Sequence, residues 1–352
     1  MQTTVVPGVA MWSRWQPDRN VFFNSYFIEA AGGNLVVDPL ALEEQDAREI
    51  EERGGVAWIA VTNRDHERAA RVLAERFGAK LAASEADAPL LSGPVDRRLA
   101  DGDELCGAIV LVLDGLKTPG EFALFLAERE TAILGDALWG EPAGALRLLA
   151  DDKLLDPLRA ALSLRRVAAL RPRHLLVGDG APIFGDATRA LWAALDARKL
   201  PGLRRVNRDE VAARLWSSDR PDYIGETLEI DGLIGAEKLG YRITRVLPHT
   251  SSCPLHWHTA EEELFVVLSG AATLVTPHGE TPLRAGDFVA FPTAPHGAHK
   301  IVNRTDEACE ILMVANSCGF DVCSYPDSRK ILVEARDLIV RDQPELDYFD
   351  GE

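Results

Sequence analysis

The sequence predicts an α+β chain of two domains, a layered α/β domain over residues 1–204 and an all-β barrel of the jelly-roll kind over residues 205–352. Three observations predict it. At 352 residues the chain exceeds the roughly 100–200 residues of one ordinary domain. Its first half alternates short apolar runs with amphipathic helical stretches. After Arg198 the pattern changes to short β-branched runs separated by Gly, Pro, Asn or Asp.

In the first half, Asn34-Leu-Val-Val-Asp38 reads as a buried strand, followed by a helix over 42–53 that Gly54 and Gly55 close. A second cycle places a strand over 56–61 and a helix over 65–77, stopped by Gly78. Ala108-Ile-Val-Leu-Val-Leu113, Phe122-Ala-Leu-Phe-Leu and Thr131-Ala-Ile-Leu read as consecutive strands, the last two joined by the polar turn at 127–130. A helix is expected over 146–170, a strand over 174–178 and a last helix over 186–198. The turn-rich stretches 199–207 and 217–222 then separate this domain from the runs Arg242-Ile-Thr-Arg-Val-Leu, Leu264-Phe-Val-Val-Leu, Ala272-Thr-Leu-Val, Asp287-Phe-Val-Ala-Phe and Glu310-Ile-Leu-Met-Val.

Composition narrows the partners. With 55 acidic against 38 basic side chains the net charge is −17, which opposes the phosphate neutralisation that nucleic-acid binding relies on and gives no grip on anionic membranes. No run approaches the roughly 18 apolar residues of a membrane span, and no basic segment precedes an apolar one at the start, so a cytoplasmic address is expected. Five cysteines without CxxC spacing read as reduced thiols.

The strongest chemical signal lies in the second half. His256 and His258 are two residues apart on an expected strand, so both imidazoles share a face. Glu263 opens the next strand and Gly270 ends it. Further on, Gly286 and Pro292 lead to His299 and, four residues later, Asn303. These residues spell HxH(x)4E(x)6G and G(x)5P…H(x)3N, and they resemble the paired motifs of the cupin superfamily over residues 225–325. The resemblance implies a double-stranded β-helix barrel in which His256, His258, Glu263 and His299 hold one divalent transition metal per chain, with Fe, Mn, Ni, Co and Zn all compatible with the donor set. The Gly of Pro295-His-Gly-Ala-His299 falls one residue later than the family often places it. His296, Glu261 and Glu262 are selected by no spacing rule and read as solvated loop residues. Phe265, Phe288 and Phe291 are expected to wall the cavity. Arg245 is the candidate to hold a substrate carboxylate if the register turns it inward, and a slip by one residue puts it outside.

Over residues 1–200 the ordered segments Leu35-Val-Val-Asp38, Val61-Thr-Asn-Arg-Asp-His66, Lys117-Thr-Pro-Gly120, Leu134-Gly-Asp136 and Val177-Gly-Asp-Gly180 resemble the metallo-β-lactamase superfamily. That resemblance implies an αββα sandwich. It also implies a degenerate site, because Val61, Asn63, Lys117 and Asp179 stand where the family has metal-binding histidines, while Asp65, His66 and Asp136 remain. The set Asp65, His66, Lys117, Asp136 and Asp179 then either keeps one hard cation or is a metal-free cluster neutralised by the Lys117 ammonium, and charge balance favours the second.

Two function classes follow. The barrel is expected to be a metal-dependent enzyme of oxygenase, isomerase or lyase type acting on a small organic molecule. The alternative is a non-catalytic ligand-binding or regulatory module, with the first domain as a dimerisation or docking surface in a homodimer. Neither catalytic residues nor an organic cofactor site can be assigned from the sequence.

Overall fold

The computed structural model describes residues 1–200, 204–217, 220–342, 346–347 and 349–350. The chain forms two compact units, Met1–Arg198 and Lys199–Glu352. No described helix is long and apolar enough to cross a membrane.

The first unit is an αββα sandwich. One sheet runs in the order Arg97–Leu99, Lys80–Ser84, Trp58–Val61, Leu35–Val37, Val21–Ile28, His174–Gly180, Thr131–Gly140, Phe122–Leu126, Ala108–Val112 and Glu104–Leu105. Its layers can be read from three apolar cores. A helix-free core joins Tyr26, Leu35 and Ala60 from one half of the sheet to Val110, Phe122 and Leu124 from the other. On one outer face Val36, Ile59 and Leu81 pack with Ile50 and Leu73 of the helices Glu44–Glu52 and Ala70–Phe77. On the other, Leu111, Ala123 and Leu134 pack with Leu164 and Leu191 of Pro157–Ala169 and Ala187–Asp196. Alternate side chains of a strand face opposite sides, so each strand feeds both an inner and an outer core.

Two helices are shorter than the periodicity predicts. Residues 65–77 divide into a 3₁₀ turn, Arg64–His66, and the helix Ala70–Phe77, because Arg68 takes a positive φ of 37° that interrupts helical hydrogen bonding. Asn63 caps the turn by accepting from the Asp65 backbone N–H. The apolar stretch from residue 146 becomes α-helical only at Pro157, whose ring suits the first helical position while Asp156 stays extended and caps the Leu158 and Arg159 N–H groups.

The second unit is a β-sandwich. The sheet Arg214–Ser217, Ile224–Glu229, Leu239–Val246, Cys309–Asn316, Glu263–Ser269, Phe288–Phe291 faces the smaller sheet Gly279–Arg284, Ala271–Thr276, Lys300–Val302. Between them pack Val246, Phe265, Val267, Leu283, Phe291, Ile301 and Ile311. A further sheet, Trp257–His258, Val322–Tyr325, Lys330–Val333 and Leu338–Arg341, brings the C-terminal segment onto the histidine strand. Gly270 turns the chain at φ +74°, and a Cβ there would come within 2.5 Å of the Ala308 carbonyl oxygen. Asn303 is a turn-builder: it is fully buried, its amide donates to the Val246 and Glu307 carbonyls, and its carbonyl accepts from Thr305.

Candidate metal centre and a buried charge cluster

His256 and His299 form an antiparallel bridge, and Glu263 pairs with Phe291 on the neighbouring strand, which carries three of the four sequence candidates to one end of the barrel interior. The Oε2 atom of Glu263 lies 3.4 Å from His299 Nε2, 3.5 Å from His258 Nε2 and 4.0 Å from His256 Nε2. Atoms sharing one ion at about 2.1 Å stand about 3.0 to 4.2 Å apart, and these separations fall in that window. The compact trio is His256, Glu263 and His299, whose donor atoms all lie within 4.8 Å of one another; His258 stands slightly wider.

Each imidazole is aimed by its other nitrogen. Nδ1 of His256 faces the Pro254 carbonyl at 3.0 Å, Nδ1 of His299 the Gly297 carbonyl at 3.0 Å, and Nδ1 of His258 the Asp321 carboxylate at 2.7 Å. A proton on each Nδ1 leaves the inward Nε2 with a lone pair, the tautomer a metal requires. Burial and the adjacent His256 push His299 down to about 3, keeping that ring neutral. Burial opposes charge on His256, but Cys253, whose Sγ lies 3.5 Å from its Nδ1, lifts it to about 9, so a metal ion would have to displace the Nε2 proton of this ring. Both Glu263 Oε2 and His299 Nε2 are buried without a hydrogen-bond partner. Such atoms cost free energy unless something occupies the space between them, so the donor set fits a divalent cation.

Two adjoining lobes of about 330 and 350 Å³ open over these residues, sharing Glu229, Arg242, Cys253, His256, Glu263 and Met313 as walls. Several expectations are corrected here. Arg245 faces outward, bound to Glu226 and Glu310; the register puts Arg242 and Thr244 on the cavity side instead. Phe288 is 72% exposed and walls nothing, whereas Phe291 stacks on the His299 ring at 3.6 Å and Phe265 meets both edge-on. Glu261 is not solvated: its side chain is 15% exposed and stands 4.0 Å from His258 Nδ1. Glu262 and His296 are exposed, as expected. The late glycine leaves His299 in place, since Gly297 sits against the Pro292 carbonyl and its own carbonyl receives the His299 proton. Asp321 is a residue of the candidate site that sequence reasoning missed. It is fully buried, also accepts from Thr259 and the Ala260 N–H, and no motif spacing points to it.

In the first unit, Lys117 Nζ lies 2.9 Å from Asp136 and 2.5 Å from Asp65, as the sequence suggested. His66 is buried between Asp38 at 2.8 Å and Asp136 at 3.0 Å. Asp179 does not reach Lys117; it faces Arg68 at 3.6 Å, a residue no motif singles out, whose guanidinium lies over Phe23. Asp38 also accepts from the Thr62 N–H and hydroxyl, and a Cβ on Gly178 would come within 2.8 Å of the His66 ring. His66, Asp136 and Asp179 bring their donor atoms within 4.8 Å of one another.

Burial and Arg68 work against a charge on His66, but Asp38 and Asp136 outweigh them and raise it to about 10. Burial would raise Asp136, yet His66 and Lys117 hold it well below the usual carboxylate range. Burial, then the Asp136 charge, push Glu121 up to about 8 and Asp179 to about 6. Folded Asp179, Glu121 and His66 therefore keep protons where the unfolded groups, with ordinary values of 3.8, 4.5 and 6.5, have lost them. A state that binds more protons loses stability as pH rises, so the urea midpoint of the first unit should fall steadily between about pH 6 and about pH 10, and should fall again in acid as Asp136 is protonated. A midpoint that holds or climbs from pH 6 to 10 would contradict this charge assignment.

A family model described as the metallo-beta-lactamase superfamily matches residues 1–197, and one described as a cupin domain matches residues 242–315. No curated protein matches the chain. Among solved structures, the chain is similar to a sugar phosphate isomerase from a cupin superfamily of Silicibacter pomeroyi, with 25% identity, 41% of this chain and 98% of that one covered, and a TM-score of 0.37. It is similar to a metallo-beta-lactamase from Pontibacter korlensis with 15% identity, coverage of 56% and 98%, and a TM-score of 0.46. A metallo-beta-lactamase from Erythrobacter litoralis gives 18% identity, coverage of 55% and 89%, and a TM-score of 0.43. With more than half of its length matched by one family and a second domain matched behind it, the chain belongs to the metallo-beta-lactamase superfamily and carries a C-terminal cupin domain.

Proposed function

We propose that the barrel is a metal-dependent enzyme acting on a small, negatively charged organic molecule, with His256, His258, Glu263 and His299 holding one divalent ion. The observation that carries this reading is the set of three Nδ1-anchored imidazoles whose Nε2 atoms converge on the orphaned Glu263 Oε2. Such an ion supplies Lewis acidity at the coordination positions the protein leaves open, which suits oxygenase, isomerase or lyase chemistry.

The walls favour an enzyme over a binding module. A binder could manage with apolar surfaces, whereas Cys253, Tyr325, Glu229 and Glu261 place titratable groups beside the ligand set. Arg242 lines both lobes with its guanidinium unpaired among the described residues, so it is free to take the charge of a carboxylate or phosphate group. Metal analysis of the purified chain, followed by ligand binding and turnover for the parent and Glu263→Gln, tests the reading. A ligand that binds tightly with any divalent metal and never turns over, in air or without it, would favour the binding module.

The Asp321 carboxylate holds His258 in its metal-ready tautomer. Asp321→Ala should weaken metal binding about 10- to 100-fold, the usual effect of removing such an outer partner. Competition with a metal-indicator dye checks this, and equal affinity would mean that His258 is aimed by something else.

We further propose that the first unit has exchanged a two-metal hydrolytic centre for a charge cluster. At neutral pH the carboxylates Asp38, Asp65, Asp136 and Asp179 face the cations His66, Lys117 and Arg68, while the raised Glu121 stays protonated, so most of the cluster's negative charge is balanced without an ion.

A further inference from the structure

A cleft of about 320 Å³ opens over Lys117, lined by Arg19, Lys117, Asp136, Trp139, Leu149 and Lys153. Three of these six side chains are cations, in a chain whose net charge is −17. The one acid is already spent: Asp136 accepts from His66 on Oδ1 and from Lys117 on Oδ2. The Lys117 ammonium gives protons to Asp136 and Asp65, which leaves its third N–H. Arg19 and Lys153 are exposed and have no ion-pair partner among the described residues. The indole N–H of Trp139 is buried and finds no acceptor.

Every uncommitted polar group of the cleft is therefore a donor, and most carry positive charge. We infer that this cleft binds an oxyanion, a small molecule bearing a carboxylate or phosphate group whose apolar part rests on Trp139 and Leu149. The inference rests on the metal-free reading of the cluster below it, because Lys117 contributes charge to the cleft only while no metal ion displaces it. Single exposed ion pairs are worth little, but several charge-assisted donors converging on one anion act together, and the attraction should weaken as salt is added.

Titration calorimetry of the full chain with inorganic phosphate and, separately, with oxalate tests this and distinguishes phosphate from carboxylate preference. Three variants accompany the parent: Arg19→Met/Lys153→Met, the charge-conserving Arg19→Lys/Lys153→Arg, and His256→Ala/His258→Ala, which disables the barrel centre. Binding of at least one anion should persist in the barrel variant and in the charge-conserving variant, and should weaken at least tenfold in Arg19→Met/Lys153→Met. Equal affinity in the parent and Arg19→Met/Lys153→Met, no binding of either anion to the parent, or loss of binding confined to the barrel variant would each overturn the inference. The metal-free reading fails by a different measurement: a metal ion that remains in the barrel variant and leaves when Asp136→Ala is added.

Discussion

A chain carrying both His256→Ala and His258→Ala should emerge from purification with less than about a tenth of the parent's metal, which itself should approach one ion per chain. The two substitutions remove half of the donor set and leave Glu263 and His299 to hold an ion alone. Two donors cannot match the chelation of four, and the Pro254 and Asp321 anchors, which exist in the fold to aim those two rings, would be left with nothing to aim. Elemental analysis of parent and variant, purified side by side without added metal, decides it. If the variant kept the parent's metal content, the ion would be bound elsewhere and the barrel reading would fall.

The largest effect on stability should come from His66→Leu. This imidazole is 3% exposed and separates two carboxylates that are themselves buried, Asp38 on one side and Asp136 on the other. Leucine fills a similar volume but donates no proton, so both acids lose a partner while remaining almost wholly buried. Stripping one member from a buried ionic group costs about 3–5 kcal/mol, and the first unit should lose stability on that scale in urea unfolding. Lys117 and Arg68 remain nearby and cannot substitute, since Lys117 is already shared with Asp65 and Arg68 is committed to the Asn24 and Asp38 carbonyls. An unchanged midpoint would mean that the carboxylates are neutral in the folded chain.

What could be read from the sequence was whatever short-range spacing encodes. Two histidines at i and i+2, a glutamate opening the next strand and a histidine after a Gly and Pro turn carried the cupin likeness, and that likeness named the candidate ligands. The layered first unit was legible because its strands and helices alternate with different periods. Helix lengths were not, because an apolar pattern continues through Arg68 and through residues 146–156, where backbone conformation, not hydrophobicity, ends the helix. Strand register decided Arg242 over Arg245, and no pattern in an alternating strand reveals which parity faces inward when both faces carry an arginine. Asp321 and Arg68 were hidden for a further reason. Each acts across a long stretch of chain on a residue that the motifs do name, and such pairings exist only after folding.

The hydrogen bond from His258 to Asp321 also bears on where the proposed centre ends. The segment matched by the cupin family model stops at residue 315, yet the aspartate that faces His258 lies six residues beyond it, and the strand Trp257–His258 finds its ladder partner in Val322–Tyr325. A protease cut after Asn316 would leave every proposed ligand and the whole matched segment in place, but would detach one ring's guide and the strand that braces it. On the proposed reading the tail is a component of the centre rather than an appendage, and a boundary drawn at the end of the matched segment would sever it.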